Sequence, residues 1–275
     1  MRIDLDLVRR VEHSGAEFAR RQVGGYHDHF PAAGAASEPC DGGALISLGP
    51  GRYVNRAMGV GLGTAPAEEI VSAIDRFYTE RGLAPSLELT PWADEQLLPA
   101  LTAAGFVAER FRSVFAHDLR GLPDASHATI VADGPDTETG RHAILAGGAP
   151  TDSDARAISD ETCIATAAVE GTHPFVAMIA GRAAACGSLN VVDDIGWLGG
   201  AATDVAYRGR GMQSALVVHR LRLAQRLGCT VAAATAEPTG QSARNLERLG
   251  FRLLCNQLVL TRSGQPRSTT TVESG

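Results

Sequence analysis

Apolar residues at Leu7, Val8, Val11 and Phe18, with charges between them, have the spacing of an amphipathic helix from Asp4 to about Val23. Gly24-Gly25 reads as its stop, and the Gly-, Ala- and Pro-rich residues to about Gly43 read as a loop. Ala44–Leu48 and Arg56–Leu62 are strand-like. Glu68–Arg81 predicts a helix with Ile70, Val71, Ile74, Phe77 and Tyr78 on one face and Gly82 as its stop. A strand over Ser86–Thr90, a helix over Asp94–Ala104 and a closing strand from Gly105-Phe106 to about Leu119 complete the first half.

Residues 121–126 read as a linker, and the second half begins near His127. Thr129–Val131 is a strand, and residues 137–169 hold two helical patches broken at Gly147-Gly148-Ala149-Pro150. Phe175–Ala180 and Ala183–Val192 predict a hairpin with Gly181-Arg182 at its turn. Trp197–Val205 is a strand, Gln213–Leu227 a long helix stopped by Gly228, and Thr230–Thr235 a strand. Gln241–Leu249 is a helix and Phe251–Arg262 the last strand. The tail 263–275 is polar, lacks an apolar period and is expected to be disordered.

The halves repeat one order: strand, helix, strand, helix, Gly-Phe, strand. Gly61 to Gly105 spans about 44 residues and Ala202 to Gly250 about 48. A duplicated fold follows, with one domain over 1–120 and another over 127–262.

The halves differ at one turn. Between strand and long helix the second half reads Val205-Ala206-Tyr207-Arg208-Gly209-Arg210-Gly211-Met212-Gln213-Ser214. A glycine turn at a helix start aims backbone N–H groups at one spot, where the helix dipole also favours negative charge, so its natural occupant is a phosphate or pyrophosphate. The first half reads Gly63-Thr64-Ala65-Pro66-Ala67-Glu68-Glu69, and its acidic side chains repel such a ligand.

Composition narrows the chemistry. All 25 basic residues are arginine, so lysine Schiff bases and the lysine-bearing Walker loop are excluded. A net charge of -6 argues against nucleic acid as the main partner. No apolar run approaches a membrane span, and the charged start is no signal peptide. Cys40, Cys163, Cys186, Cys229 and Cys255 are scattered and odd in number, which fits a reducing cytoplasm. The Arg-, Ala- and Gly-rich, Lys-free usage suggests a GC-rich bacterial source.

Two phosphate-binding readings remain. Gly209-Arg210-Gly211-Met212-Gln213-Ser214 is one residue short of the dinucleotide fingerprint, with Glu237 near the expected acidic position. That fold, however, continues through further strand–helix units, and here one helix and one strand remain. The other reading fits the surroundings. Arg208-Gly209-Arg210-Gly211-Met212-Gln213, followed by Asn245-Leu246-Glu247-Arg248-Leu249-Gly250-Phe251, resembles the two core motifs of the GNAT superfamily of acyl-CoA N-acyltransferases. Over the first half the resemblance is topological only, with Ala104-Gly105-Phe106 echoing Leu249-Gly250-Phe251.

The resemblance implies an α+β fold of two tandem GNAT-like domains, each a mixed, mostly antiparallel sheet flanked by helices, the first copy degenerate. It implies acetyl-CoA as acyl donor, no metal, and a small-molecule or peptide amine as acceptor. Backbone groups of Thr203, Asp204 and Val205 would bind the pantetheine arm. Amides of Arg208, Gly209, Arg210, Gly211, Met212, Gln213 and Ser214 would hold the pyrophosphate, and Asn245 would contact the pantetheine side. Two positions depart from the pattern. Gln213 stands where a small residue is usual, so its side chain must turn away from the phosphates. Leu246 stands where many members carry a tyrosine that protonates the leaving thiolate. The catalytic acid and base stay unassigned: Asp160, Glu161, Glu170, His142 and His173 are base candidates, each expected to be structural or exposed. His27-Asp28-His29 is read as a hydrogen-bonded loop and not a metal site, and Trp92 and Trp197 as packing residues. Two other functions stay open: a catalytically silent acyl-CoA-binding or regulatory protein, and a dinucleotide-binding enzyme.

Overall fold

The computed structural model describes residues 1–52, 54–122, 129–132, 140–141 and 153–262. The chain divides into two units, and the divisions fall inside strands: Arg2–Val114 and the last strand from Leu254 form one, and Phe115–Leu253 the other.

The first unit opens with α1 (Leu5–His29), whose N-cap Asp4 accepts the Leu7 N–H at 3.1 Å. Gly24-Gly25 does not end this helix. The buried stripe Leu7, Val8, Val11, Ala19, Val23 continues to Tyr26, and packing of that stripe outweighs the low helix propensity of two glycines. The expected loop is also shorter than read. β1 (Ala36–Cys40) pairs antiparallel with β2 (Gly43–Ser47), and Asp41 and Gly42 form the two-residue turn with φ of 39° and 88°. β3 (Arg56–Met58) stops short of Leu62 because Gly59 and Gly61 take φ of 68° and 82° and turn the chain out of the strand.

α2 (Ala67–Thr79) then leads to β4 (Ser86–Leu89), parallel to β3, and α3 (Leu97–Ala103) to β5 (Phe106–His117). The strand order is β1-β2-β3-β4-β11-β5, so the last strand, β11 (Arg252–Arg262), lies between β4 and β5. Leu45, Ile70, Ile74, Phe77, Leu87, Leu97, Leu101, Phe106 and Leu260 share one core. Each buried side chain of this size contributes roughly 1.5–3 kcal/mol.

The second unit holds β6 (Thr129–Ala132), α4 (Ser153–Ala167), β7 (Thr172–Ile179), β8 (Arg182–Val192), β9 (Ile195–Thr203), α5 (Met212–Arg226), β10 (Val231–Ala236) and α6 (Gln241–Arg248). Its strand order is β10-β9-β8-β7-β6, antiparallel except for β9 beside β10. The β7–β8 turn is Ala180-Gly181, one residue earlier than expected, with φ of 48° and 75°. The repeat is visible in the pairing: β3 and β4 are parallel across α2, and β9 and β10 are parallel across α5. Each unit is a mixed, mostly antiparallel sheet flanked by helices. The first helical patch of residues 137–152, apart from Gly140 and Arg141, and the tail 263–275 lie outside the described residues. No helix among the described residues is long and apolar enough to cross a membrane.

The first unit buries two carboxylates in opposite ways. Burial alone would raise the Glu88 carboxyl, but the charges of Arg112 and Arg56 hold it below its usual range, with Arg56 Nη1 at 2.6 Å. Desolvation pushes the Glu12 carboxyl up to about 7, and Gln257, whose Nε2 donates to both its oxygens at 2.9 Å, offsets this only in part. The folded state therefore prefers protonated Glu12. Its contribution to stability is complete below the unfolded value near 4.5 and is lost as pH rises through 7. Urea unfolding should show stability falling by roughly 3 kcal/mol between about pH 5 and 8.5. Glu12→Gln should flatten that slope; an unchanged slope would locate the titration elsewhere.

Candidate functional site

β9 is paired on one side for its full length and on the other for only half. Its antiparallel ladder with β8 runs to Ala185 opposite Thr203. Its parallel ladder with β10 ends at Leu198 opposite Ala234. From Gly199 to Thr203 the β10 side of β9 is therefore an open strand edge, with main-chain donors and acceptors that another extended group can use. A bulge begins at the same point. Cys186 faces Ala202 but Ser188 faces Gly199, and Gly200 absorbs the extra β9 residue with φ of 59°.

Two side chains from α5 fix this end of the strand. Arg220 is fully buried; its Nη1 donates to the carbonyls of Ser188 and Gly199 at 3.1 and 3.3 Å, and its Nε to Leu216 at 3.1 Å. Burial lowers its guanidinium to about 10, which leaves it charged at neutral pH. Gln213 turns its amide into the sheet, where Nε2 donates to the carbonyls of Cys186 at 3.2 Å and Ala202 at 2.7 Å. The residue that is large for its place in the motif is thus a brace across the bulge, with its side chain directed into the sheet.

Beyond Thr203 the chain makes a short turn over Val205–Tyr207, closed by Asp204, whose Oδ1 accepts from Ala206 N at 2.8 Å. The Asp204 N–H is taken by the Ala184 carbonyl at 3.0 Å, while Thr203 Oγ1 is buried without a partner. Arg208 and Arg210 are exposed, and Arg210 lies over the Tyr207 ring at 5.5 Å from its centroid. Gly209 and Gly211 adopt φ of 75° and 76°, with nothing within 4 Å of where a Cβ would stand. Both glycines serve the backbone conformation, and the space before them is open. Gly211 caps α5 without a side-chain acceptor, so the N–H groups of Met212, Gln213 and Ser214 have no intrahelical partner.

The corresponding turn of the first half is filled. The Asp41 carboxylate accepts from Ala65 N at 2.9 Å and Gly63 N at 3.2 Å, and α2 begins with Glu68 and Glu69 in its first turn. Two amides of this turn, ahead of the helix, therefore hold a carboxylate of the protein's own chain.

The remaining candidates are scattered. Asn245 is half-buried on α6, and its Oδ1 accepts from Gln241 Nε2 at 2.9 Å and from Arg248. Leu246 is buried in the core with Leu216, Ala243 and Phe251. Asp160 and Glu161 lie on α4, Glu170 is exposed after it, and His173 is on β7, which β8 separates from β9. His142 lies outside the described residues. His27 and His29 sit in the last turn of α1, not in a loop, with His27 Nε2 2.7 Å from the Ala35 carbonyl oxygen. Trp92 is exposed, so it is not the packing residue expected, and Trp197 is half-buried on β9. Glu237 is exposed just after β10.

Sequence reading missed the roles of Arg220 and Gly187. The signal for the first was an arginine in phase with Leu216 and Ala224 on an apolar helix stripe, facing a glycine in mid-strand. A Cβ on Gly187 would lie 2.7 Å from Arg220 Nη1 and 2.9 Å from its Cζ. Gly187→Ala should cost about 1–3 kcal/mol of stability in urea unfolding. The same change in an Arg220→Met background should cost much less; equal costs in both would show that the two positions do not interact.

Residues 147–251 match the model of the Acetyltransferase (GNAT) family. A GCN5-related N-acetyltransferase from Kribbella flavida is similar over 91% of this chain and 96% of its own, at 17% identity and a TM-score of 0.65. A conserved protein of unknown function from Staphylococcus epidermidis is similar over 87% and 98%, at 11% identity and a TM-score of 0.59. A tandem GNAT protein from the clavulanic acid biosynthesis pathway is similar over 81% and 74%, at 14% identity and a TM-score of 0.54. No curated protein matches the chain. At these identities the structural likeness shows the fold alone, two tandem GNAT-like domains, the second of which holds the residues 147–251 that match the family model.

Proposed function

We propose that the second half is an acetyl-CoA-dependent N-acetyltransferase acting on the amine of a small molecule or peptide. One observation carries the reading: the open edge of β9 over Gly199–Thr203 runs directly into a helix start with an uncapped amide cradle at Gly209–Ser214. An extended pantetheine arm that ends in a diphosphate needs these two features in this order. Both glycines leave room for it, and Gln213 is directed into the sheet, out of the cradle.

When bound, acetyl-CoA supplies an acetyl thioester that a neutral amine attacks with release of the CoA thiol. The protein's part is to place it. Main-chain groups at Thr203 would pair with the amide-bearing arm, the amides of Gly209–Ser214 would hold the diphosphate, and Arg208 and Arg210 would add positive charge in front of it. Asn245, on the helix after β10, would border the pantetheine side.

Leu246 favours a second reading, an acyl-CoA-binding protein without turnover. It is buried in the core and cannot donate a proton. A thiol with pKa near ~8.5 can leave as thiolate without an acid, so the enzymatic reading stands on the donor site alone.

Calorimetric titration with acetyl-CoA should show saturable binding. Gly211→Val, which forces a β-branched residue to positive φ, should weaken it roughly tenfold or more with little change in far-UV circular dichroism. No heat with acetyl-CoA overturns the proposal. Thiol release with any member of a broad amine panel rejects the silent reading, and binding without release from all of them supports it.

A further inference from the structure

On the face of the sheet opposite α5, one buried side chain leaves donors unpaired. Arg141 is 4% exposed, yet its Nε and Nη1 find no hydrogen-bond acceptor. Among the described residues none places a carboxylate within ion-pairing distance of it. It stands at the bulge: a Cβ on Gly200 would lie 2.9 Å from Arg141 Nη2 and 3.4 Å from Ser188 Oγ. Asn190 completes the surroundings. Its Nδ2 donates to Ser188 Oγ at 3.4 Å.

The charge balance points the same way. The second unit buries two guanidinium groups, Arg141 and Arg220, and no carboxylate among its described residues. Arg220 donates to three carbonyls, whereas Arg141 leaves its Nε and Nη1 unused. A desolvated, unpaired guanidinium destabilises a fold unless an anion joins it, and its planar fork matches a carboxylate. Gly200 belongs to the open stretch of β9, so that anion would lie beside the strand edge assigned above to the acyl donor.

We propose that Arg141, with Ser188 beside it, binds a carboxylate of the substrate, so that the acceptor is an amine that also carries a carboxylate, such as an amino acid or a peptide end. The assignment rests on the acetyltransferase reading for the word acceptor. The site itself rests on Arg141 alone.

The test titrates the full chain, with and without CoA, with N-acetyl amino acids and with N-acetyl amines that lack the carboxylate. At least one N-acetyl amino acid should bind and its carboxylate-free counterpart should not. Arg141→Gln should weaken that binding roughly tenfold or more and leave CoA affinity unchanged. A second arm compares succinyl-CoA with acetyl-CoA; an Arg141-dependent preference for succinyl-CoA places the carboxylate on the acyl group and overturns the assignment to the acceptor. Arg141→Met should melt at or above the parent temperature, because it removes an unpaired buried charge. Carboxylate binding that Arg141→Gln leaves intact, no carboxylate preference in the first arm, or a lowered melting temperature for Arg141→Met overturns the proposal. Failure of CoA to bind tells against the acetyltransferase reading alone, since the carboxylate titration is also run without it.

Discussion

The early end of the β9–β10 ladder is the constraint on which the second unit depends. Parallel strands that stay paired bury their main-chain groups in each other; strands that separate leave those groups to be satisfied from elsewhere. Here pairing stops at Leu198 and Ala234, and the far half of β9 is held from one side only. A half-held strand end would fray unless something pinned it. Arg220 and Gln213 supply the pin from the α5 side, together holding the carbonyls of Ser188, Gly199, Cys186 and Ala202. These braces leave the opposite edge of the strand unengaged. The same helix that fixes the strand also begins with the uncapped turn, so cleft and cradle are placed by one element.

Comparison of the halves shows how little separates an open anion turn from a closed one. Both copies run strand, turn, helix and parallel strand. In the first, Asp41 comes from the β1–β2 hairpin and its carboxylate occupies the amides of Gly63 and Ala65. Two acidic side chains in the first turn of α2 then make the surrounding potential unfavourable to a second anion. In the second, Gly209 and Gly211 face empty space and arginines flank them. An internal carboxylate satisfies the cradle without a ligand, which makes the first turn a structural joint.

Much of this was legible because local chemistry and tertiary packing agree. The periodic helices α2 and α5, the glycine turn and the repeated Gly-Phe strand entries follow from patterns that need no long-range partner. The failures share a cause. Gly24-Gly25 reads as a stop because the buried stripe through Tyr26, which holds the helix together, is a tertiary fact. The Asp41-Gly42 hairpin was hidden in a segment judged by composition, although its dipeptide is a turn signal. Gln213 could be placed by elimination, but its two carbonyl partners could not be named. Arg141 gives no local signal at all, since only burial without a partner sets it apart from the other arginines.

The buried guanidinium of Arg220 also bears on the missing tyrosine. A leaving thiolate needs either a proton or a place where negative charge is tolerated. Leu246 removes the first option at its position, because it is packed among Leu216, Ala243 and Phe251. The second option is present in the charge of Arg220, whose Nη1 donates to the Gly199 carbonyl at the bulge at 3.3 Å. In a site of low effective dielectric such a charge acts over several ångströms, and it favours the anion without transferring a proton. On the acyl-transfer reading, the loss of a general acid is therefore offset by positive potential already built into the fold. The same potential selects against a cationic group at the bulge, so an acceptor amine must arrive there neutral or bring its own negative charge.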